Sequence, residues 1–473
     1  MPASRSPPPC LKDSDPVLRY IGAGAFNGIQ KTELDEAQRK QAAAPRPLYQ
    51  YPWFSDGFAQ HRRRALRTYF YSNIVNWLIV WASVSLLYGT YIRNDDLGKL
   101  EVFVVNFDDD SLGSQVVDAF EVSLERANHL RLIFRDTFAS IQEVRDAVYD
   151  EQAWGAVIVN AAATQRLRQA LVTGNSSYDP TSAIEVVSEG ARNPLTSNSH
   201  LVPAVLAILE PVIVQASMNA SATFLSANLD NATAIRTALN CPQCLSSGFS
   251  YLANDLRPAY SPSAFGAVLS GAIALITFSF TVAGTANKIG ILLGEYLNIT
   301  STIAWRWLSC MFAYFIIALS ITGIQAAFGI PVTTPFGGRG FVILWIFRYF
   351  FSLQLLVTVF ILFNAAFGLA IEAIVTVFGF WTTNWFLNFW VFWNSAGASY
   401  SNELMPGFYK YGYGFPLVHA IRGTSTIIYG TKSHLGLNFS VLMVWIVVSS
   451  VVMAVATTLR LRCNMRRRVH TLP

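Results

Sequence analysis

Apolar positions along this chain fall into one isolated run and one dense block, and that spacing predicts the architecture. The isolated run, Tyr69–Ile92, carries no charge. It is long enough to cross a hydrocarbon core, which takes about 20 helical residues. The block Ser263–Leu459 holds runs from Ser263 to about Ala286, from Ile303 to Ile330 where Pro331 ends it, and over Phe439–Leu459. Between Phe341 and Trp393 only Arg348 and Glu372 are charged. At about 1.5 Å per residue that stretch is roughly 80 Å long, so it is read as two helices turning near Asn364–Gly368. The pattern describes a polytopic α-helical membrane protein with six transmembrane helices, one plus five.

The segment between the first and second runs, 93–262, alternates differently. Leu100–Phe107 reads as a buried strand, followed by Asp108-Asp109-Asp110-Ser111 as the cap of a helix through about Leu124. Ser140–Asp150 reads as a second helix, Gly155–Val159 as a strand, Ala161–Leu171 as a helix ending at Gly174-Asn175, and Ile184–Ser188 as a third strand. Leu201–Leu229 has helical periodicity and is expected as a long arm leading back toward the membrane. The insert is therefore an extracytoplasmic α/β domain with a helical arm.

Composition supports the bilayer, and charge orients the chain. The sequence is 52% hydrophobic and only 13% charged, about half the charge of a soluble domain. Residues 1–68 hold 11 Lys/Arg against 6 Asp/Glu, and the tail 460–473 carries five Arg and no acid. The segment 93–262 holds 11 Lys/Arg against 20 Asp/Glu. Basic flanks face the cytosol, so residues 1–68 are expected as a disordered cytosolic tail and 460–473 as a basic cytosolic tail. Six crossings return both termini to that side, and the insert then lies outside or in a lumen. No apolar run precedes residue 60, so no secretory signal is read there. The Pro-containing stretches Arg5–Pro9 and Ala44–Pro47 suit a solvated tail better than a recognition motif.

Three sequons, at Asn175, Asn219 and Asn231, fall in the insert and are candidate N-glycosylation sites. Chance matches also occur at Asn298, in an expected cytosolic loop, and at Asn438, against the bilayer. Cys241 and Cys244, in Cys-Pro-Gln-Cys, are expected to form a short structural disulfide; a redox or zinc role lacks the surrounding motif. Cys10, Cys310 and Cys463 fall in cytosol or bilayer and are expected to stay reduced. The acidic triplet Asp108–Asp110 is read as capping chemistry before cation binding.

Ionisable groups at membrane depth are functional candidates by default. Glu372, near the inner end of the fifth run, is the strongest, since a carboxylate snorkels poorly. Arg306 shares its leaflet and is the better partner than Arg348, which lies near the outer end of the fourth run. For both arginines snorkelling and function stand as equal readings. The outward loop Asn394–Leu437 supplies Tyr411, Tyr413 and Arg422 as further pathway candidates, on or beside an amphipathic stretch, Leu417–Tyr429, expected as an interfacial or re-entrant helix. His419 on that stretch is read as structural. No hydrolase, zincin or phosphate-loop motif occurs, and Gly430-Thr431-Lys432-Ser433 lacks the preceding Gly-x4. The chain is expected not to be an enzyme, and no cofactor, metal or nucleic-acid partner is expected.

The layout, with Tyr411-Gly412-Tyr413-Gly414-Phe415-Pro416 and Leu435-Gly436-Leu437-Asn438-Phe439-Ser440-Val441-Leu442 ahead of Trp445, resembles the fungal nitrosoguanidine-resistance membrane protein family over about residues 65–460. That family is a domain of unknown function distantly similar to YhgE/Pip-like and ABC-2-type permeases. The resemblance implies resistance to toxic compounds or their export, with a role in plasma-membrane lipid organisation, and supplies no catalytic residues. The leading expectation is an exporter-like membrane protein for small toxic or amphipathic compounds, a secondary metabolite among them, acting as a homodimer or with a partner subunit. Two alternatives stay open: a non-transporting scaffold or regulator of lipid organisation or of another transporter, and an outer-domain receptor. The plasma membrane is the expected location, with the endoplasmic reticulum or vacuole as alternatives.

Overall fold

The computed structural model describes residues 52–90, 97–259, 262–293, 296–364 and 382–471. The insert folds around a five-stranded mixed sheet. Its strands are β1 (Glu101–Asn106), β2 (Arg131–Phe134), β3 (Gly155–Val159), β4 (Ile184–Ser188) and β5 (Tyr251–Asp255), in the order β2-β1-β3-β4-β5. β1 pairs in parallel with β2 and β3, β3 pairs antiparallel with β4, and β4 pairs in parallel with β5.

Successive side chains of a strand point to opposite faces, and both faces here are covered. Val102, Val104, Val157, Val159, Ile184 and Val186 pack under α2 (Ser111–Ser123), α4 (Ala163–Thr173) and α5 (Val202–Ala227). Phe103, Val105, Ala156, Ile158 and Val187 pack under α3 (Ile141–Tyr149). Two-sided burial explains why these strands read as continuous apolar runs.

Local chemistry sets the helix starts. The Asp110 carboxylate accepts from Ser111 N at 2.7 Å and is held by Arg168. Asp108, 1% exposed, accepts from Thr164 Oγ1 at 2.6 Å and Thr164 N at 3.3 Å, tying α2 to α4. Ser140 Oγ accepts from Glu143 N, while Glu143 Oε2 accepts from Ala139 N, a reciprocal cap for α3.

The long helix over 202–227 is not a free arm. Val205, Leu209 and Ile213 lie in the same core as the sheet, and Ser217 Oγ bonds Ser247 O and Phe249 N. The chain then runs through α6 (Ala232–Ala238) and α7 (Pro242–Ser246), which carries the disulfide between Cys241 and Cys244, and adds β5 before leaving the domain.

In the membrane half, α1 (Ala59–Gly89) packs along α11 (Thr382–Ala398). α8 (Pro262–Leu293), α9 (Ile299–Ala327), α10 (Gly340–Asn364) and α13 (Leu435–Thr471) form a bundle. Large apolar side chains face outward along α1 (Ile74, Trp77, Leu78, Trp81) and α13 (Val444, Val447, Val448, Val451). Exposed apolar faces of this extent belong in lipid rather than water. Among the described residues three helices are long and apolar enough to cross a membrane: Asp56–Gly89, Pro194–Ala227 and Ile299–Ala327. The second of these is the one packed on the sheet. A helical membrane protein with a small sheet domain is thus the architecture.

Leu417–Tyr429, expected as an interfacial or re-entrant helix, is sunk into the bundle. α12 (Pro416–Tyr429) is buried along almost its whole length and packs on α8, α10, α11 and α13. At 14 residues it is about 21 Å long, too short to span, so it enters and ends at Gly430 in a left-handed cap. Gly423 meets the Phe347 ring so closely that any Cβ would collide with it.

Candidate functional site

The Tyr-Gly motif forms a hub at one end of the bundle. Tyr409 OH donates to Leu86 O at 2.7 Å, tethering the end of α1, and Tyr411 OH donates to Trp393 O at 2.9 Å on α11. Trp445 Nε1 on α13 donates to Gly414 O at 2.8 Å. Gly412 lies against the Gly397 carbonyl with no room for a side chain, which accounts for that glycine. His419 is buried with both ring nitrogens engaged, Nδ1 by Asn438 Oδ1 at 2.9 Å and Nε2 by Tyr413 O at 2.8 Å. Tyr411 is therefore a strut rather than a lining residue, its phenol pushed up by burial and by neighbouring Tyr409.

The sheet domain docks on this hub at two places. On one side Lys432 Nζ donates to Asp150 O at 2.6 Å, His434 Nε2 lies 3.2 Å from Glu151 Oε2, and Arg257 Nε donates to Gly430 O at 3.0 Å. On the other, Ser401 N donates to Thr196 Oγ1 at 3.1 Å, and His200 meets Tyr400 edge-on. The Gly430–Ser433 run that superficially suggests phosphate binding serves as this docking segment.

Between the two contacts lies a cavity of about 120 Å³ with mixed polar and apolar walls. One water needs roughly 10–15 Å³ on the same measure, so several waters or a small organic molecule fit. The sheet domain contributes Glu151, Trp154, Arg192 and Asn193; the hub contributes Ser401, Asn402, Glu403, Tyr413, Arg422 and Thr426. Arg192 stacks over the Trp154 ring at 3.8 Å and donates to Ala153 O at 3.0 Å. Burial lowers its pKa, and the carboxylates of Glu151, Glu403 and Glu189 oppose that. Arg422 lies 5.9 Å from the Tyr413 ring centre. Burial first, then the Glu403 charge, pushes the Tyr413 phenol up.

Buried polar atoms normally have partners, and several at this junction have none. Ser401 Oγ and Glu403 Oε2 lack one, and the Asn402 amide has only the Tyr413 phenol beside it. Behind Arg192, Glu189 is 1% exposed with both carboxylate oxygens unpartnered, and burial pushes its pKa up to about 7. Sequence reading missed Arg192, Glu189 and Asn402, because each sits in a loop with no motif around it.

The other sequence candidates are scattered. Arg348 is 3% exposed inside the bundle, where Nη1 donates to Thr322 Oγ1 at 3.3 Å beside a second cavity of about 10 Å³ lined by Ala272, Phe351 and Thr424. Its guanidinium group points into the bundle. Glu372 lies outside the described residues, as do the turn beyond Asn364, Cys10 and the side chains of Arg306 and Cys463. Asn175, Asn219 and Asn231 are exposed, whereas Asn438 is 1% exposed.

No solved structure matches this chain. An uncharacterized endoplasmic reticulum membrane protein of Saccharomyces cerevisiae is 25% identical over 319 residues, 65% of this chain. The match spans 59% of that relative's length. A family model described as a protein of unknown function (DUF3533) matches residues 73–451, from within α1 to within α13, and the chain belongs to that family.

Proposed function

We propose that this protein is a non-enzymatic, exporter-like membrane protein for small amphipathic or toxic compounds, distantly like ABC-2-type permeases. Six crossings, with both termini cytosolic and the sheet domain on the far side, are part of the reading. The carrying observation is the shared cavity: the sheet domain seats on a segment continuous with the buried helix α12, a route by which a bound molecule would act on the bundle. Arg348, buried beside α12 with a hydroxyl as its hydrogen-bond partner, adds an ionisable group on that path. A homodimer or an energising partner subunit would supply the drive that this chain lacks a motif for. Exposed sequons at Asn175, Asn219 and Asn231 support the orientation, and a glycosidase-sensitive mobility shift checks it.

Accumulation of toxic compounds in a deletion strain tests the function. Restored efflux with the wild-type gene, and a loss of at least tenfold with Arg348→Met, is the expected outcome. Unchanged accumulation and unchanged sensitivity on deletion sink it. The yeast relative's endoplasmic reticulum name supports that membrane rather than the plasma membrane as the location, and the second reading of function is a non-transporting regulator. Substrate flux in liposomes holding this chain alone excludes a purely regulatory role, and a fluorescent fusion reports the membrane.

A further inference from the structure

We propose that the cavity between the sheet domain and the hub binds an oxyanion, a phosphate or carboxylate carried by a small molecule or a lipid headgroup, clamped between Arg192 and Arg422. The inference names the ligand chemistry of the site described above and rests on reading that cavity as a binding site.

Charge comes first. The lining holds three permanent cations, Arg192, Arg422 and Lys432, against two carboxylates, Glu151 and Glu403. Lys432 is held by Asp150, and Glu151 by His434 where that imidazole is protonated. The two guanidinium groups face Glu403 across the cavity, and Glu151 and the buried Glu189 also act on Arg192. Arg192 uses one N–H and one ring face on its own domain, and Arg422 makes only its ring contact. Guanidinium is the side chain best matched to phosphate and carboxylate, through paired N–H donors in a plane. Here the two come from opposite sides of a domain junction.

The neutral groups agree. Asn402 is 3% exposed and Ser401 is 4% exposed, and both line the cavity; the Ser401 hydroxyl has no protein partner, and the Asn402 amide has only the Tyr413 phenol beside it. Leaving such donors unmet costs about 1–3 kcal/mol each, which an oxyanion accepting from them would recover. Glu403 Oε2, also unpartnered, is placed to accept from an O–H or N–H next to the anionic group. The Trp154 and Tyr413 rings hold the two guanidinium groups from behind, limiting the freedom lost on binding.

The test uses the purified full-length protein and equilibrium dialysis with inorganic phosphate and with benzoate. Phosphatidylcholine nanodiscs with and without phosphatidic acid provide the lipid arm. Saturable binding of at least one probe is expected, weakened at least tenfold by Arg422→Gln and several-fold by Asn402→Ala. Arg422→Gln removes no hydrogen bond, so its fold should survive; an unchanged melting temperature checks that. Displacement of the soluble probe by phosphatidic acid assigns a lipid headgroup, and no displacement assigns a soluble ligand. Absence of saturable binding to every probe, or equal binding in Arg422→Gln, overturns the proposal. Intact binding in a protein that moves no substrate overturns the transport reading alone.

Discussion

Glu185 and Glu189 lie four residues apart, both almost wholly buried, in opposite circumstances. Glu185, on β4, is met in bidentate fashion by Arg145, at 2.9 and 2.7 Å, and by Asn254 Nδ2 at 2.6 Å. Glu189, where the same chain reaches the domain junction, has no hydrogen bond to either oxygen. The buried carboxylate within the sheet is fully met, and the one at the junction is not. A region built only for stability closes its polar accounts, because an unmet buried group costs as much as several good contacts contribute. The junction keeps Glu189, Ser401 and Glu403 open, which fits a surface meant to meet something else.

Breaking the finished side should do the most harm. Arg145→Ala leaves Glu185 buried without its charge partner, and a loss of about 3–5 kcal/mol is expected. Thermal unfolding of the purified protein reads it; a loss below about 1 kcal/mol would remove the contrast with the junction.

The open side should respond in the opposite direction. Glu189→Gln is expected to stabilise the protein near pH 7.5 by up to about 3 kcal/mol. The native pKa of Glu189, about 7, lies above the ordinary carboxylate value of 4.5. Between those two values the folded state binds the extra proton. Stability from this group is therefore full below about pH 4.5 and declines as pH rises through 7. Arg192 and Arg257 oppose the shift and Glu151 and Asp255 add to it. A stability difference between wild type and variant that stays flat from pH 5 to 8 would show that Glu189 is not the open group described.

The docking contacts should matter least for stability. Lys432 and Asp150 are both partly exposed, and such pairs contribute about 0–1 kcal/mol. Lys432→Ala is expected to leave unfolding almost unchanged while raising protease cleavage near the junction. A drop of several kcal/mol instead would mean the junction is as tightly built as the sheet.

Much of the sheet domain is legible in the sequence. Val102–Val105 and Ala156–Val159 are two-sided apolar runs, Ile184–Val187 is apolar but for Glu185, and Asp110 and Ser140 announce their helices. β2 and β5 are not legible, for a physical reason. Arg131–Phe134 is four residues long, and Tyr251–Asp255 carries an exposed Leu252 and no β-branched residue, so pairing with a neighbour makes each a strand. For 202–227 the same apolar periodicity suits a membrane span, an arm or a packed helix; the contacts of Leu209 and Ile213 chose the last. Tyr413 and Arg422 line the cavity at the junction, and Tyr411 donates to Trp393 O beside it.

Membrane residence, the isolated first apolar run and the α/β character of the insert follow from the sequence alone, since they depend on local hydrophobicity and period. The tertiary structure alone decided that 202–227 folds onto the sheet, that 416–429 sinks into the bundle, and that Arg192 and Arg422 share one cavity. Residues 230 positions apart meet only when the chain folds, and no local pattern records which distant groups will be left without partners.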